Sequence, residues 1–590
     1  TKLIRLVKPN LAGHIVGSRT LYRNVFNPII SPDFMFTKLM NEPPSKAEEI
    51  DTYNLADDVE VNIFKVPNEV QYLYHVTPPE FKISEDMYNV LDMARNALAE
   101  HKPAKEEFID PEKMRRTFFN IGRDLIQELS DHKGLDLSYK EIEELTKILV
   151  RYTVGFGLIE ILLDDPKVQD INVNGPIGET KIFITHETYG ECVTNIIPSR
   201  EDGDSWASKF RILSGRPLDE ANPILDTELL LPRSRARVAI IGRPLNPLGL
   251  GYAFRRHRDK PWTYPLFIKN KMMNPLAAGL LSFLIDGNRS LLFAGTRSSG
   301  KTSILGASLI EIMRKYRIIS MEDTLELPIE ALRELGYNVQ PMKVRSALMS
   351  GGSEVSAEEG IRTSLRMGDS CLIVGEIRST EALALYEAMR IGALANVVAG
   401  TIHGADPYGV FDRVVNDLKV PRTSFKATDI IIISNPVRSA DGLHRWRRIL
   451  QIAEVRKHWE TDPLKENGFV DLMKYDAKED TLKPSDDLLN GDSEILKAIA
   501  GNIKEWAGDW NAVWDNILLR AQIKDTLVNY AVKSERLDLL EAKFVVASND
   551  MFHRLCDSVK EDIGAIDSRR VYSEWESWLK DAIKRRVLVE

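Results

Sequence analysis

The chain has 590 residues, of which 43% are apolar and 28% charged; at about 150 residues per domain, this fits roughly three to five folded domains and excludes a mainly disordered chain. A formal net charge of −9 is mild and speaks against a protein whose main task is to coat nucleic acid. Cys192, Cys371 and Cys556 lie far apart with no CxxC pair, so neither a disulfide framework nor a tetracysteine zinc site is expected, and a reducing compartment fits best. With no run of about 18 uninterrupted apolar residues and no secretory pattern, the chain reads as soluble.

Four stretches follow in chain order. Residues 1–100 read as a small α+β unit, in which the Pro- and acid-rich segment from Asn41 to Glu60 reads as a loop or linker. Val70, Tyr72, Tyr74 and Val76 alternate with polar neighbours and stop at Pro78-Pro79, the pattern of a half-buried strand. Residues 101–275 begin helical, with Asp110-Pro111 as a helix start and an amphipathic stretch from Tyr139 to Tyr152. Short β-rich runs then take over at 168–173, 180–184 and 237–241.

Across residues 276–450, wholly apolar short strands alternate with helical periods: 290–294, 317–321, 371–375, 397–400 and 430–433. Strands of that kind imply a parallel sheet covered by helices on both faces, an α/β core. Residues 451–590 read as a mostly helical extension, where Trp506, Trp510 and Trp514 fall at helical spacing and are expected to pack into a core.

The strand ending at Ala294 runs directly into Gly295-Thr296-Arg297-Ser298-Ser299-Gly300-Lys301-Thr302 and then Ser303, the G-x-x-x-x-G-K-[ST] pattern between strand and helix. The glycines let the backbone curl so that successive N–H groups and the helix N-terminus face phosphate oxygens. Lys301 is expected to reach the β- and γ-phosphates and the Thr302 hydroxyl to ligate Mg²⁺. ATP and Mg²⁺ are therefore the expected ligands. Glu322 and Asp323 end one strand, with Glu326 beyond, and Glu376 ends another; acids at the carboxyl ends of parallel strands lie where open α/β sheets bind ligands. Glu376 stands where an acid is expected to hold Mg²⁺ through water or to orient the attacking water, whereas Glu322 and Asp323 could also end their strand for turn reasons. From the residues alone His403 is equally well a structural side chain beside a Gly turn or a sensor of the γ-phosphate.

The ordered set of the phosphate loop, "ISMEDTLELP", "SLRMGDSCLIVGEIRS" and "AGTIHGADPYG" resembles the secretion ATPases of type II and type IV systems, the GspE-like, PilT-like and archaellum motors. The likeness covers roughly residues 140–435 and takes in "GFGLIEILLDDPKVQDINVNG" and "GRPLDEANPILDTELL". It implies a RecA-like P-loop core (276–450) preceded by an α+β, PAS-like N-terminal region, with 101–275 packing over the nucleotide and supplying arginines. By the likeness Glu322 is similar to the family's Asp-box acid, Glu376 to its Walker B glutamate and His403 to its His-box histidine. Arg237 and Arg255, in "SRARVAIIG" and "GYAFRRHR", are the first choices for the arginines, with Arg235 and Arg258 in reserve; a solvated strand face is an equal reading of these basic runs. Gly392-Ala393 and "TSFKATDIIII" resemble the archaeal branch, and no structural zinc is expected.

The resemblance implies a homo-hexameric ATPase at the cytoplasmic face of the membrane, attached through a platform protein and driving pilus, archaellum or type II secretion assembly. A DNA-translocating or conjugation-type ATPase and a nucleotide-gated scaffold are the alternatives; the acidic balance gives the first little support, and nucleic acid is not an expected partner.

Overall fold

The computed structural model describes residues 29–30, 38–40, 43–44, 46–100, 111–258, 260–345, 355–368, 370–390, 396–442, 445–504 and 506–585. The expected helix start at Asp110 and the Gly392-Ala393 pair lie outside the described residues. The chain forms two compact units, the first ending at Arg258 and the second comprising the rest. Each takes in two of the four stretches read from sequence. The division falls before residue 275 because Tyr264, Phe267, Ala277 and Leu280 pack into the core of the second unit.

The first unit is built on a sheet whose described strands are β1 (Glu48–Asn54), β2 (Glu60–Lys65), β3 (Tyr72–Thr77), β4 (Val168–Val173), β5 (Phe183–His186), β6 (Gly190–Thr194), β7 (Ile224–Leu230), β8 (Arg235–Ile241) and β9 (Gly251–His257), in the order β7-β8-β9-β4-β5-β6-β3-β2-β1. Neighbours run antiparallel except β3 and β6. The segment expected to be a loop from Asn41 to Glu60 therefore contains a strand, β1. It lies at the sheet edge with most of its side chains exposed, so acidic residues are tolerated there; it pairs with β2, and Tyr53 anchors it by donating to Asp165 at 2.7 Å. β3 stops before Pro78 as expected, but Leu73, Tyr74, His75 and Val76 are all buried, because the strand lies inside the sheet between β2 and β6. Helices α1 (Glu85–Glu100), α2 (Pro111–Lys133) and α3 (Tyr139–Thr153) share a small core of their own. α3 opens with a reciprocal cap between Ser138 and Glu141.

In the second unit the described strands are β10 (Ser290–Gly295), β11 (Ile318–Glu322), β12 (Val339–Lys343), β13 (Cys371–Val374), β14 (Val398–His403), β15 (Ile430–Arg438), β16 (Arg445–Val455), β17 (Phe469–Asp476) and β18 (Thr481–Pro484). They lie in the order β12-β11-β13-β14-β10-β15-β16-β17-β18. From β12 through β15 all pairings are parallel. Leu291 and Phe293 of β10, with Ile430 and Ile432 of β15, enter one core, and Leu292, Ala294, Ile431 and Ile433 enter another. Apolar residues at every position thus serve two faces at once, which is why these strands carry no alternation.

β15 to β18 pair antiparallel, so the sheet continues into the stretch read as helical. Helices resume at Glu494–Gly501 and continue through α10 (Trp510–Lys533), α11 (Ala542–Ile563) and α12 (Ser568–Arg585), here numbered after α4 (Leu158–Asp164), α5 (Arg200–Ser214), α6 (Pro275–Asp286), α7 (Lys301–Leu309), α8 (Ala357–Ser364) and α9 (Glu381–Arg390). These C-terminal helices share the core beneath the sheet with α6 and α7, so they complete the α/β unit. Trp506, Trp510 and Trp514 pack against that core, but not along one helix: Gly508 has φ +82° and the Asp509 side chain caps the first turn, so α10 starts at Trp510. Among the described residues no helix is long and apolar enough to cross a membrane.

Candidate active site

β10 is buried at every position and ends in Gly295, where an added Cβ would stand 2.0 Å from the Ser434 carbonyl oxygen of β15. Only glycine permits this approach of two backbones. The chain then turns through Ser298 (φ +60°) and Gly300 (φ +92°), and α7 begins at Lys301. Strand, loop and helix thus meet as the motif requires, with the N-terminus of α7 opening onto the loop.

Lys301 is 8% exposed, and its Nζ donates to the carbonyls of Gly295 at 3.2 Å and Thr296 at 2.8 Å. Two further side chains brace the loop from the neighbouring hairpin. Asn435 Oδ1 accepts from the Thr296 N–H at 2.9 Å while its Nδ2 donates to the Ala405 carbonyl at 3.3 Å, and Arg447 Nε donates to the Ser298 carbonyl at 3.0 Å. Neither residue was singled out from sequence. The only linear signal for Asn435 is that the apolar run Ile430–Ile433 breaks to polar residues at the level where β10 ends.

One strand from β10 lies β14 and the next is β13, so His403 and Glu376 emerge at the same sheet edge as the loop. His403 Nε2 is 3.1 Å from Glu376 Oε1, and the other Glu376 oxygen accepts from Arg378 Nη2. Arg378 Nη1 donates to Asp323 Oδ2 at 3.1 Å, so one guanidinium holds both carboxylates. Burial raises the Glu376 pKa, but the Arg378 hydrogen bond and charge, with His403 and Lys301, overcome it and hold the carboxyl below its usual value. His403 is depressed by burial and by Lys301, against the opposing pull of Glu376. A cleft of about 200 Å³ adjoins the acids, lined by Met321, Asp323, Arg345, Ser356, Glu376 and Arg378.

Glu322 packs beside Gly375, the residue before Glu376, and is held by the turn after its own strand. It is 3% exposed, and its Oε1 accepts the backbone N–H groups of Glu326 at 2.9 Å and Leu327 at 3.0 Å, closing the turn that follows β11. Of the two adjacent acids, Asp323 is the one brought to Glu376 through Arg378. Arg378 itself went unremarked in the sequence, although it lies two residues beyond Glu376.

In the first unit, Arg237 and Arg255 are directly opposite each other on β8 and β9, flanked by Glu228 on β7 and Asp170 on β4. Directly opposed residues share a face, so these four form one row of acid, arginine, arginine, acid. Arg255 Nε is 3.1 Å from Asp170 Oδ1. Arg235 is opposite His257, two positions along the same strand.

Among the described residues there is no group of three or more His, Cys, Asp or Glu side chains suited to a resident metal. Thr302 and Glu376 offer oxygen donors only, which suits Mg²⁺ that arrives on a polyphosphate and keeps part of its water shell.

Residues 253–452 match the family model of the type II/IV secretion system protein. An uncharacterized protein of Methanocaldococcus jannaschii is 26% identical over 469 residues, covering 76% of this chain and 80% of that protein. The VirB11 protein of Rhizobium radiobacter is 24% identical over 322 residues, 50% of this chain and 90% of that protein. Among solved structures, the ATPase DotB of Yersinia pseudotuberculosis covers 67% of this chain and 92% of its own, at 14% identity and a TM-score of 0.38.

Proposed function

We propose that the chain, whose residues 253–452 match the family model of the type II/IV secretion system protein, is a Mg-ATP-hydrolysing motor. It works as a homo-hexamer at the cytoplasmic face of a membrane, held there by a platform protein. There it powers assembly of a type IV pilus-like, archaellum or type II secretion complex.

The observation that carries this reading is the convergence of Lys301 on the phosphate loop and the Glu376–His403 pair at one edge of the parallel sheet. Residues 295–303 bind the phosphates, with Lys301 supplying positive charge and the Thr302 hydroxyl and Glu376 the oxygens for Mg²⁺, which when bound neutralises charge on the β- and γ-phosphates. Glu376 orients the attacking water, held in its ionised form by Arg378 and aligned by His403. Asp323 shares Arg378 with Glu376 and is the second acid of the group. Arg237 and Arg255 stabilise the charge of the transferring phosphoryl group, a contribution worth about 10³ to 10⁵ in rate where an arginine acts this way.

The test is the rate of ATP hydrolysis per molecule as protein concentration rises in the presence of Mg²⁺. A rate that climbs with concentration and vanishes in Lys301→Ala and Glu376→Ala is expected. Turnover at the wild-type rate in either variant would remove the proposed site.

A further inference from the structure

We infer that Arg447 is a nucleotide-binding residue, a cation from the chain's own sheet that contacts the phosphates of a nucleoside di- or triphosphate seated on the loop. The inference rests on the proposed reading of residues 295–303 as a phosphate site.

β15 and β16 form a hairpin that outruns the sheet. Its register shifts between Ile433 and Ser434, at the level where β10 ends at Gly295, and beyond that point Asn435 faces Arg448, Pro436 faces Arg447 and Arg438 faces Arg445. Pairing this far past the end of β10 carries the hairpin alongside the phosphate loop. Alternation along β16 then separates two adjacent arginines. Arg448 turns inward and makes two hydrogen bonds to Asp480, at 2.7 and 2.9 Å, a structural pairing.

Arg447 turns to the opposite side and is exposed. Its Cδ is 3.5 Å from the position a Cβ on Gly300 would occupy, and its Nε reaches the Ser298 carbonyl at 3.0 Å. The side chain therefore runs along the loop from Gly300 to Ser298 and sets a guanidinium charge beside it. A guanidinium offers five N–H donors in a planar fork, so the Nε contact can fix its place while its charge acts on an anion held by the loop. Arg438 and Arg445 extend the same face of the hairpin. Contact with a phosphate and bracing of the loop make different demands: the first needs positive charge, the second only an N–H donor.

The experiment titrates the full chain, with Mg²⁺, with ADP and with a slowly hydrolysed ATP analogue. It compares the wild type with Arg447→Ala, Arg447→Lys, Arg447→Gln and Lys301→Ala, at low and high salt. Arg447→Ala is expected to weaken both ligands about tenfold at low salt, as for loss of one charge-assisted contact, and by less at high salt. Arg447→Lys recovers most of that loss and Arg447→Gln does not. Recovery by Gln but not by Lys would overturn the inference in favour of a neutral brace, and wild-type affinity in Arg447→Ala would overturn it outright. Wild-type affinity in Lys301→Ala would instead overturn the phosphate-site reading on which it rests.

Discussion

Glu376 Oε1 lies 3.1 Å from His403 Nε2, across the ends of two adjacent parallel strands, β13 and β14. The register that pairs Val374 with Gly400 leaves both side chains just beyond the segment paired between these two strands, on the edge where Gly295, opposite His403, opens the loop before Lys301. The two groups are thereby held together next to Lys301: burial raises the Glu376 pKa and lowers that of His403, and the Lys301 charge lowers both.

Replacing Glu376 by Gln keeps a side chain of the same size and an acceptor for His403 but removes the charge. Hydrolysis should fall by about 10²-fold or more, as for loss of a positioned base, while affinity for Mg-ATP changes only a few-fold. Single-turnover rates and equilibrium binding, measured on the same preparation, separate the two effects.

Arg378 makes the leading contribution that lowers the Glu376 pKa, against burial that raises it. In Arg378→Ala burial is left with weaker opposition, so the carboxyl titrates at higher pH than in the wild type and is lost as a base earlier on acidification. The acidic limb of kcat against pH should therefore move up in Arg378→Ala. Both the Glu376 and the His403 pKa lie below their ordinary values, so in the wild type that limb should lie below the usual histidine value of about 6.5. An unmoved limb in Arg378→Ala would detach it from Glu376.

The neighbouring acids should respond in opposite ways. Glu322→Ala strips two backbone N–H groups of their acceptor inside the turn after β11, which costs about 1–3 kcal/mol for each buried group left unsatisfied. Asp323→Asn should leave stability near the wild type and lower turnover, because its carboxylate shares Arg378 with Glu376. Chemical denaturation followed beside ATPase rates shows which acid is structural.

The C-terminal helices should prove inseparable from the rest of the second unit. Lys524 of α10 is bound to Glu311 at 2.7 Å with both side chains buried, and Arg520 reaches Asp286 at the end of α6 at 2.6 Å. Glu311→Leu leaves the Lys524 ammonium without its carboxylate, a loss of about 3–5 kcal/mol for a broken buried pair. The second unit should then unfold at lower denaturant, and removal of residues after 505 should leave it insoluble, since α10 packs along α6 within one core.

The sequence by itself determined the local chemistry. The strand, loop and helix around Lys301, the wholly apolar strands and the acids closing two of them are visible in order, because a phosphate loop and a doubly covered parallel sheet each impose a pattern on consecutive residues. What contacts what across the sheet edge was decided by tertiary structure. Which of Glu322 and Asp323 turns toward Glu376 depends on a turn that draws one carboxylate inward, and the two differ by a single position along the chain. Asn435 and Arg447 lie 139 and 149 residues from the loop atoms they touch. A hydrogen bond of about 3 Å across such a separation follows from strand order and register, and these are settled only when the whole sheet is assembled.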